Sequence, residues 1–288
     1  MEAINVVCAD GYKLSARYFK SKNTKANEVI LICSATAMKQ TLYREFAQWL
    51  NDKGYSVLTF DYRGVGDSLH VPMRDCKARM SDWFTLDIPA AIDTLSKLES
   101  SHEKITMIGH CAGGAYLGLV HNIEKVKKVV SVGSGTGHAN GLPIKTRALA
   151  IYMFKFLFPL VSRKIGYCPV KSVGMGVNLP PDIGLQWGEI CLNDGHVNVF
   201  LNKTVHREFH KKVTCPITYF RAIDDEITSD KNMRGLMPFY PNAHDQKIIE
   251  LQPEKYGLDK IGHINMFKKS HSVLWEIFED ELKSKDAV

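Results

Sequence analysis

A chain of 288 residues with 45% hydrophobic and 24% charged residues has the balance of a soluble globular protein and enough length for a full core. That composition excludes a disordered, collagen-like or coiled-coil chain, and the length allows two domains or one large α/β fold. The 37 Lys and Arg against 31 Asp and Glu leave a formal charge of +6, and no basic run interleaved with aromatics points to nucleic acid. The stretch Met1–Asp10 has neither the basic nor the apolar region of a secretory signal. The longest apolar stretch, Ala148 to Val161, is broken by Lys155 and Pro159 and falls short of the ~20 residues that span a bilayer. Seven cysteines without a C-x-x-C pair argue against a disulfide framework or a zinc site and fit a reducing cytoplasm.

In chain order, Ile4–Cys8 and Lys13–Phe19 flank a turn at Asp10-Gly11 and predict a hairpin. After a polar loop, Ser21–Asn27, the run Val29–Cys33 does not alternate and so predicts a strand buried on both faces. Leu42–Leu50 has helical spacing, Ser56–Phe60 is a second buried strand, and Trp83–Leu98 is helical. Ile105–Ile108 predicts a strand, Ala115–His121 a helix, and Val126–Val132 another strand. Strands alternating with helices at this spacing build βαβ units and a mostly parallel, doubly wound sheet.

The alternation stops near Ser134 and resumes with strands at Ile217–Arg221 and Gln246–Leu251 and a helix at Val273–Leu282. The economical division is a core of residues 1–137 and 206–288 with a helical cap inserted over 138–205. That insertion carries seven Lys and Arg against three acids. Such an excess reads either as solvated helix faces or as attraction for an anionic substrate portion, carrier protein or membrane surface. Around Ala148–Pro159 apolar residues surround the helix instead of forming one stripe, which predicts a helix buried between cap and core. Its alternative is a wall for an acyl chain or aromatic group, and Phe154, Phe158 and Trp187 are the candidate lining residues.

Chemistry concentrates at Gly109-His110-Cys111-Ala112-Gly113-Gly114, between a buried strand and a helix. A G-x-S-x-G nucleophile elbow occupies that setting, here with Cys111 in the serine position. The glycines two residues either side clear space for a strained turn, and the helix N-terminus beyond favours a thiolate. His110 is expected to point away from the nucleophile.

With this motif, the chain resembles the α/β-hydrolase superfamily over roughly Ala3 to Ile277. Asp61-Tyr62-Arg63-Gly64-Val65-Gly66-Asp67-Ser68 is similar to the superfamily's D-x-R-G-x-G-x-S loop, to which an architectural role falls. Cys111 departs from the usual Ser, as it does in dienelactone hydrolases and polyhydroxyalkanoate synthases. The resemblance implies the chain order nucleophile, acid, base. The acid loop Ala222–Ser229 favours Asp225, with Asp224 as its rival and Asp230 as the N-cap of the next helix. The base is His263, on the loop before the last helix, in preference to His244 or His271. The oxyanion donors would be Ala112 N–H and one from Cys33-Ser34-Ala35-Thr36, where the superfamily usually shows His-Gly; alignment from the strand end puts it at Ala35, with Thr36 the alternative. No metal and no organic cofactor are implied.

The expectation is a capped α/β-hydrolase in which Cys111, His263 and Asp225 cleave an ester or thioester through an acyl-Cys intermediate. Its substrate would be a small or carrier-bound acyl compound. Acyl transfer to an alcohol or amine is the rival within chemistry, and a binding protein that has lost catalysis is the rival outside it.

Overall fold

The computed structural model describes residues 1–22, 29–99, 105–194 and 196–284. Residues 23–27 of the expected polar loop lie outside them. Eight strands form one sheet in the order β1-β2-β4-β3-β5-β6-β7-β8. They are β1 (Glu2–Val7), β2 (Lys13–Phe19), β3 (Val29–Cys33), β4 (Ser56–Phe60), β5 (Ile105–His110), β6 (Val126–Val132), β7 (Ile217–Ala222) and β8 (Gln246–Leu251). β2 runs antiparallel to both β1 and β4, and every other pair is parallel. The helices are α1 (Arg44–Asp52), α2 (Met80–Asp82), α3 (Ile88–Leu98), α4 (Ala112–Ala115), α5 (Ile144–Tyr152), α6 (Phe158–Ile165), α7 (Pro181–Leu192), α8 (Asp230–Leu236) and α9 (Trp275–Lys283).

The central strands do not alternate because both their faces are covered. Ile30 and Ile32 of β3 pack with Phe46 and Leu50 of α1 and Phe278 of α9. Val29, Leu31 and Cys33 pack on the other face with Ile88, Ile92 and Leu95 of α3. Burying one such side chain contributes about 1.5–3 kcal/mol, so a one-residue slip of β3 exchanges two full sets of contacts.

Two helical runs are widened by π-turns, Trp83–Asp87 before α3 and Met153–Leu157 before α6. In both, the amide that closes the turn reaches back five residues, Ile88 N–H to Trp83 O and Phe158 N–H to Met153 O. In both, the next residue is a proline, Pro89 or Pro159. Its ring has no N–H and crowds the carbonyl four residues back, and the wider turn relieves that clash.

The helix expected over Ala115–His121 is not formed. α4 stops at Ala115, and Leu117–Leu119 is a single 3-10 turn. The Ala115 carbonyl, which would have accepted from Leu119, takes hydrogen bonds from Tyr240 Oη (2.6 Å) and His196 Nε2 (2.9 Å) instead. The helix after β7 is capped by Ser229, whose hydroxyl accepts from Asn232 N–H (3.2 Å). Asp230, expected at that cap, lies one residue on and pairs with Arg234 (2.8 Å).

Between β6 and β7 the insertion places α5, the π-turn, α6 and α7 against one another. Gly184 and Gly188 lie one turn apart on α7, and a Cβ at either would press on Cys168 or Phe154. That closeness brings Trp187 onto Phe154, with ring centroids 4.9 Å apart.

Candidate active site

β5 ends at His110, and Cys111 follows with φ +52° and ψ −115°, a conformation that costs a non-glycine residue of order 1–3 kcal/mol. Neighbouring glycines make the turn possible. A Cβ on Gly109 would lie 2.5 Å from Gly113 O, and one on Gly113 would collide with the Cys33 carbonyl at the end of β3. Cys111 N–H donates to Val132 O (2.8 Å), which ties the turn to β6. Cys111 is partly exposed, and the other six cysteines are buried.

His263 Nδ1 lies 2.8 Å from Asp225 Oδ2. A carboxylate only accepts, so that nitrogen carries the proton. Asp225 is 5% exposed, and its other oxygen accepts from Ile227 N–H (2.8 Å) and Thr228 N–H (2.9 Å). Burial alone would raise this carboxyl; the His263 charge and bond and the two amides outweigh it and hold it below its ordinary value. Gly133 (φ +56°) seals the pair, since a Cβ there would sit 3.2 Å from His263 Nδ1. Burial also disfavours a charge on His263, yet the Asp225 carboxylate and the Cys111 sulfur push its pKa up to about 10. The structure thus brings Cys111, His263 and Asp225 together.

Asp224 points elsewhere, its two oxygens accepting from Ile261 N–H and Gly262 N–H, both at 2.9 Å. It ties down the loop that carries His263. His271 bonds the Lys260 carbonyl (2.8 Å) near the surface, and His244 is exposed. His110 points away from the cavity into a buried chain of hydrogen bonds. Ala35 N–H donates to Tyr43 Oη (2.9 Å), Tyr43 Oη–H donates to His110 Nδ1 (2.8 Å), and His110 Nε2–H donates to the His263 carbonyl (3.0 Å). Burial and then the His263 charge push the His110 pKa down to about 3, so the ring is neutral and holds that tautomer.

That chain corrects the expected oxyanion pair. Ala35 N–H is spent on Tyr43 in the core and does not face Cys111. Thr36, one residue on, lines the cavity with Cys111 and Ala112. Among the described residues neither the Thr36 nor the Ala112 N–H has a backbone acceptor. Sequence alone left Thr36 as the alternative, because the deciding partner, Tyr43, lies eight residues away.

The cavity over Cys111 holds about 260 Å³ and is lined mainly by apolar side chains, several of them from α5, the π-turn and α7. Phe154 and Trp187 line it; Phe158 does not, contrary to expectation. Phe158 is wholly buried behind them, edge-on to Phe154 at 5.5 Å. Leu149, Met153, Ile190 and Met80 also line it, unmarked by any local motif. Its one charged lining residue is Glu226, which is exposed; the Lys and Arg of the insertion lie outside. Among the described residues no cluster of three His, Cys, Asp or Glu is placed to hold a metal ion.

The Asp61–Ser68 loop is structural. Asp61 accepts from Gln40 N–H (2.7 Å) and Asp67 N–H (3.0 Å). Arg63 lies between Asp87 (2.6 Å) and Asp10 (2.7 Å). None of these residues lines the cavity over Cys111.

Sheet order, elbow and strand-end loops together define the α/β-hydrolase fold. Residues 24–166 match the hydrolase family described as serine aminopeptidase, S33. Among solved structures the chain is similar to an esterase from Exiguobacterium antarcticum, at 15% identity and TM-score 0.61, over 98% of this chain and 100% of that one. It is also similar to an esterase from Pyrococcus furiosus (13%, TM-score 0.62, 98% and 89%) and to mouse alpha/beta hydrolase domain-containing protein 10 (16%, 0.54, 98% and 98%). No curated protein matches the chain in sequence. These likenesses show the α/β-hydrolase fold.

Proposed function

We propose that the protein is an acyl hydrolase that cleaves an ester or thioester through Cys111. The observation that carries this is His263, set between the Asp225 carboxylate and the sulfur of Cys111, which itself lines an apolar cavity. Held as imidazolium by those two neighbours, His263 stabilises the Cys111 thiolate, which attacks the carbonyl carbon of a bound ester. Ala112 N–H and Thr36 N–H take the developing oxyanion. The tetrahedral intermediate collapses as His263 gives its proton to the leaving alcohol or thiol, and an acyl-Cys111 thioester remains. Water then enters, His263 accepts its proton, and the second collapse releases the carboxylic acid and the thiolate. Asp225 keeps the imidazole in one tautomer throughout.

Phe154, Trp187 and Met153 give the acyl part apolar walls. At about 260 Å³ the space lies just below the ~300–1,000 Å³ common for ligand pockets and suits a slender acyl group. All seven cysteines are free thiols, which suits work in a reducing compartment.

The test is an intact-protein mass spectrum after brief mixing with acyl thioesters and p-nitrophenyl esters of graded length. One acyl group is expected on Cys111, chased off by time and absent from Cys111→Ala. Acylation at another residue, or full turnover by Cys111→Ala, would remove the proposal.

A further inference from the structure

The same insertion has an outer face that the chemistry above does not use. Ile144, Leu149, Tyr152, Phe156 and Leu160 are 83, 45, 55, 49 and 63% exposed. They make up five of the eleven large apolar side chains exposed among the described residues. Tyr152, Phe156 and Leu160 recur every four residues, so they form one ridge along α5, the π-turn and α6. Between Ile144 and Ile165 there are five Lys and Arg (Lys145, Arg147, Lys155, Arg163 and Lys164) and no Asp or Glu. All five are exposed, and none has an acidic partner among the described residues. Lys155 Nζ lies 5.9 Å from the centre of the Phe156 ring, so charge and apolar surface share one face. Leu149 belongs to both places: it is half exposed and it lines the cavity over Cys111.

We propose that this face of α5 and α6 rests on an anionic lipid surface, with Tyr152, Phe156 and Leu160 dipped into the acyl boundary and the five cations among the headgroups. A convex ridge of bulky side chains ringed by uncompensated cations is what an interfacial helix presents. A folded acidic protein would complement the charge but would leave the ridge without a pocket to fill. A bilayer moulds itself around such a ridge. Continuity through Leu149 adds a route, because an acyl chain could pass between lipid and cavity along apolar side chains. The docking stands whether or not Cys111 is the nucleophile.

The experiment is sedimentation of the full chain with phosphatidylcholine vesicles, with and without phosphatidylglycerol. Phosphatidylglycerol is expected to raise the bound fraction at least about tenfold, and high salt to reverse much of that. Phe156→Glu/Leu160→Glu should cut binding at least about tenfold, because it puts charge into the acyl boundary. Both side chains are about half exposed or more, so the variant's urea midpoint should match that of the unmodified chain. Failure to bind phosphatidylglycerol vesicles would overturn the proposal. So would binding that Arg163→Glu/Lys164→Glu abolishes while Phe156→Glu/Leu160→Glu leaves intact, since the ridge would then play no part. A dimer on size-exclusion chromatography that the Phe156/Leu160 variant breaks would also overturn it, as would tighter binding to an acidic carrier protein than to vesicles.

Discussion

Asp224 and Asp225 are adjacent, yet they hold the two halves of one loop: Asp225 takes the side chain of His263, and Asp224 takes the backbone amides of Ile261 and Gly262. Different failures follow from the two. Asp225→Asn leaves the imidazole without its carboxylate and should lower ester turnover by on the order of 10²–10⁴-fold with the fold intact. Asp224→Asn keeps one acceptor oxygen, so its loss should be within about tenfold, accompanied by a loss of stability of about 1 kcal/mol. Turnover and urea midpoints of the two variants separate these outcomes; a larger loss at Asp224 would exchange the roles.

The His263 pair should leave a signature in stability against pH. Its folded pKa, about 10, stands above its ordinary 6.5, so the folded state binds the proton more tightly than the unfolded chain does. That contribution is complete below 6.5 and is lost as pH rises through about 10. Asp225 runs the other way: its carboxyl is held low, so its contribution is present above its ordinary 3.8 and fades as pH falls through the folded value. The gap in urea midpoint between the unmodified chain and His263→Ala should therefore narrow between pH 7 and 10.5. A constant gap would show that His263 titrates at its ordinary value.

Tyr43→Phe tests the buried relay. The ring keeps its edge contact with Phe267 (centroids 4.9 Å), but Ala35 N–H and His110 Nδ1 both lose a partner in the core. Each such orphan costs about 1–3 kcal/mol, so a drop of a few kcal/mol in unfolding free energy is expected. Turnover should fall as well, since the relay joins the loop bearing Thr36 to the loop bearing His263. A neutral Tyr43→Phe would mean the relay carries no load.

Glycines around the elbow are set by space and not by dihedral angle. Gly113→Ala drives a methyl into the Cys33 carbonyl, and backbone on both sides has nowhere to go. A loss of at least about 1–3 kcal/mol is expected from the overpacking, with soluble yield falling in step. Gly11→Ala, in open space at φ +81°, should cost only the left-handed strain of about 1 kcal/mol. Thermal midpoints rank the two, and equal midpoints would speak against the tight seat.

Trp187 and Phe158 should part company. Trp187→Ala opens the cavity wall and should shift preference toward longer acyl esters with a modest change in stability. Phe158→Ala, wholly buried behind the wall, should cost about 3–5 kcal/mol and leave the chain-length profile where it was. A profile that moves with Phe158 would return that residue to the cavity.

Local residue patterns mark some of these features, and distant partners decide the others. Val29–Cys33 and Ser56–Phe60 read as buried strands because five apolar or small residues in a row need cover on both faces, and they have it. The elbow was legible because Gly109 and Gly113 leave a local mark. Ala35 against Thr36 was not, because a tyrosine hydroxyl on the next helical segment decides it. The broken helix after Ala115 is likewise decided by Tyr240, 125 positions on. Phe158 and Phe154 look alike in sequence, and only the packing of α7 separates the buried one from the one at the wall. The apolar sweep from Ala148 to Pro159 suggested a helix buried all round, whereas its outer side is open to solvent.

The π-turn at Met153–Leu157 holds one residue more than an α-turn, which sets back everything after it by about 100° around the helix axis. Inside and outside in this insertion are therefore a matter of counting. Deleting a single residue between 153 and 157 would let the turn close as an ordinary α-turn and leave α6 facing as it does. Straightening the turn with every residue kept would instead rotate α6 by that angle, drawing Leu160 toward the core and swinging Phe158 out of it. Length here works as part of the code: a one-residue gap within 153–157 should be absorbed, and the same gap a turn earlier or later should not.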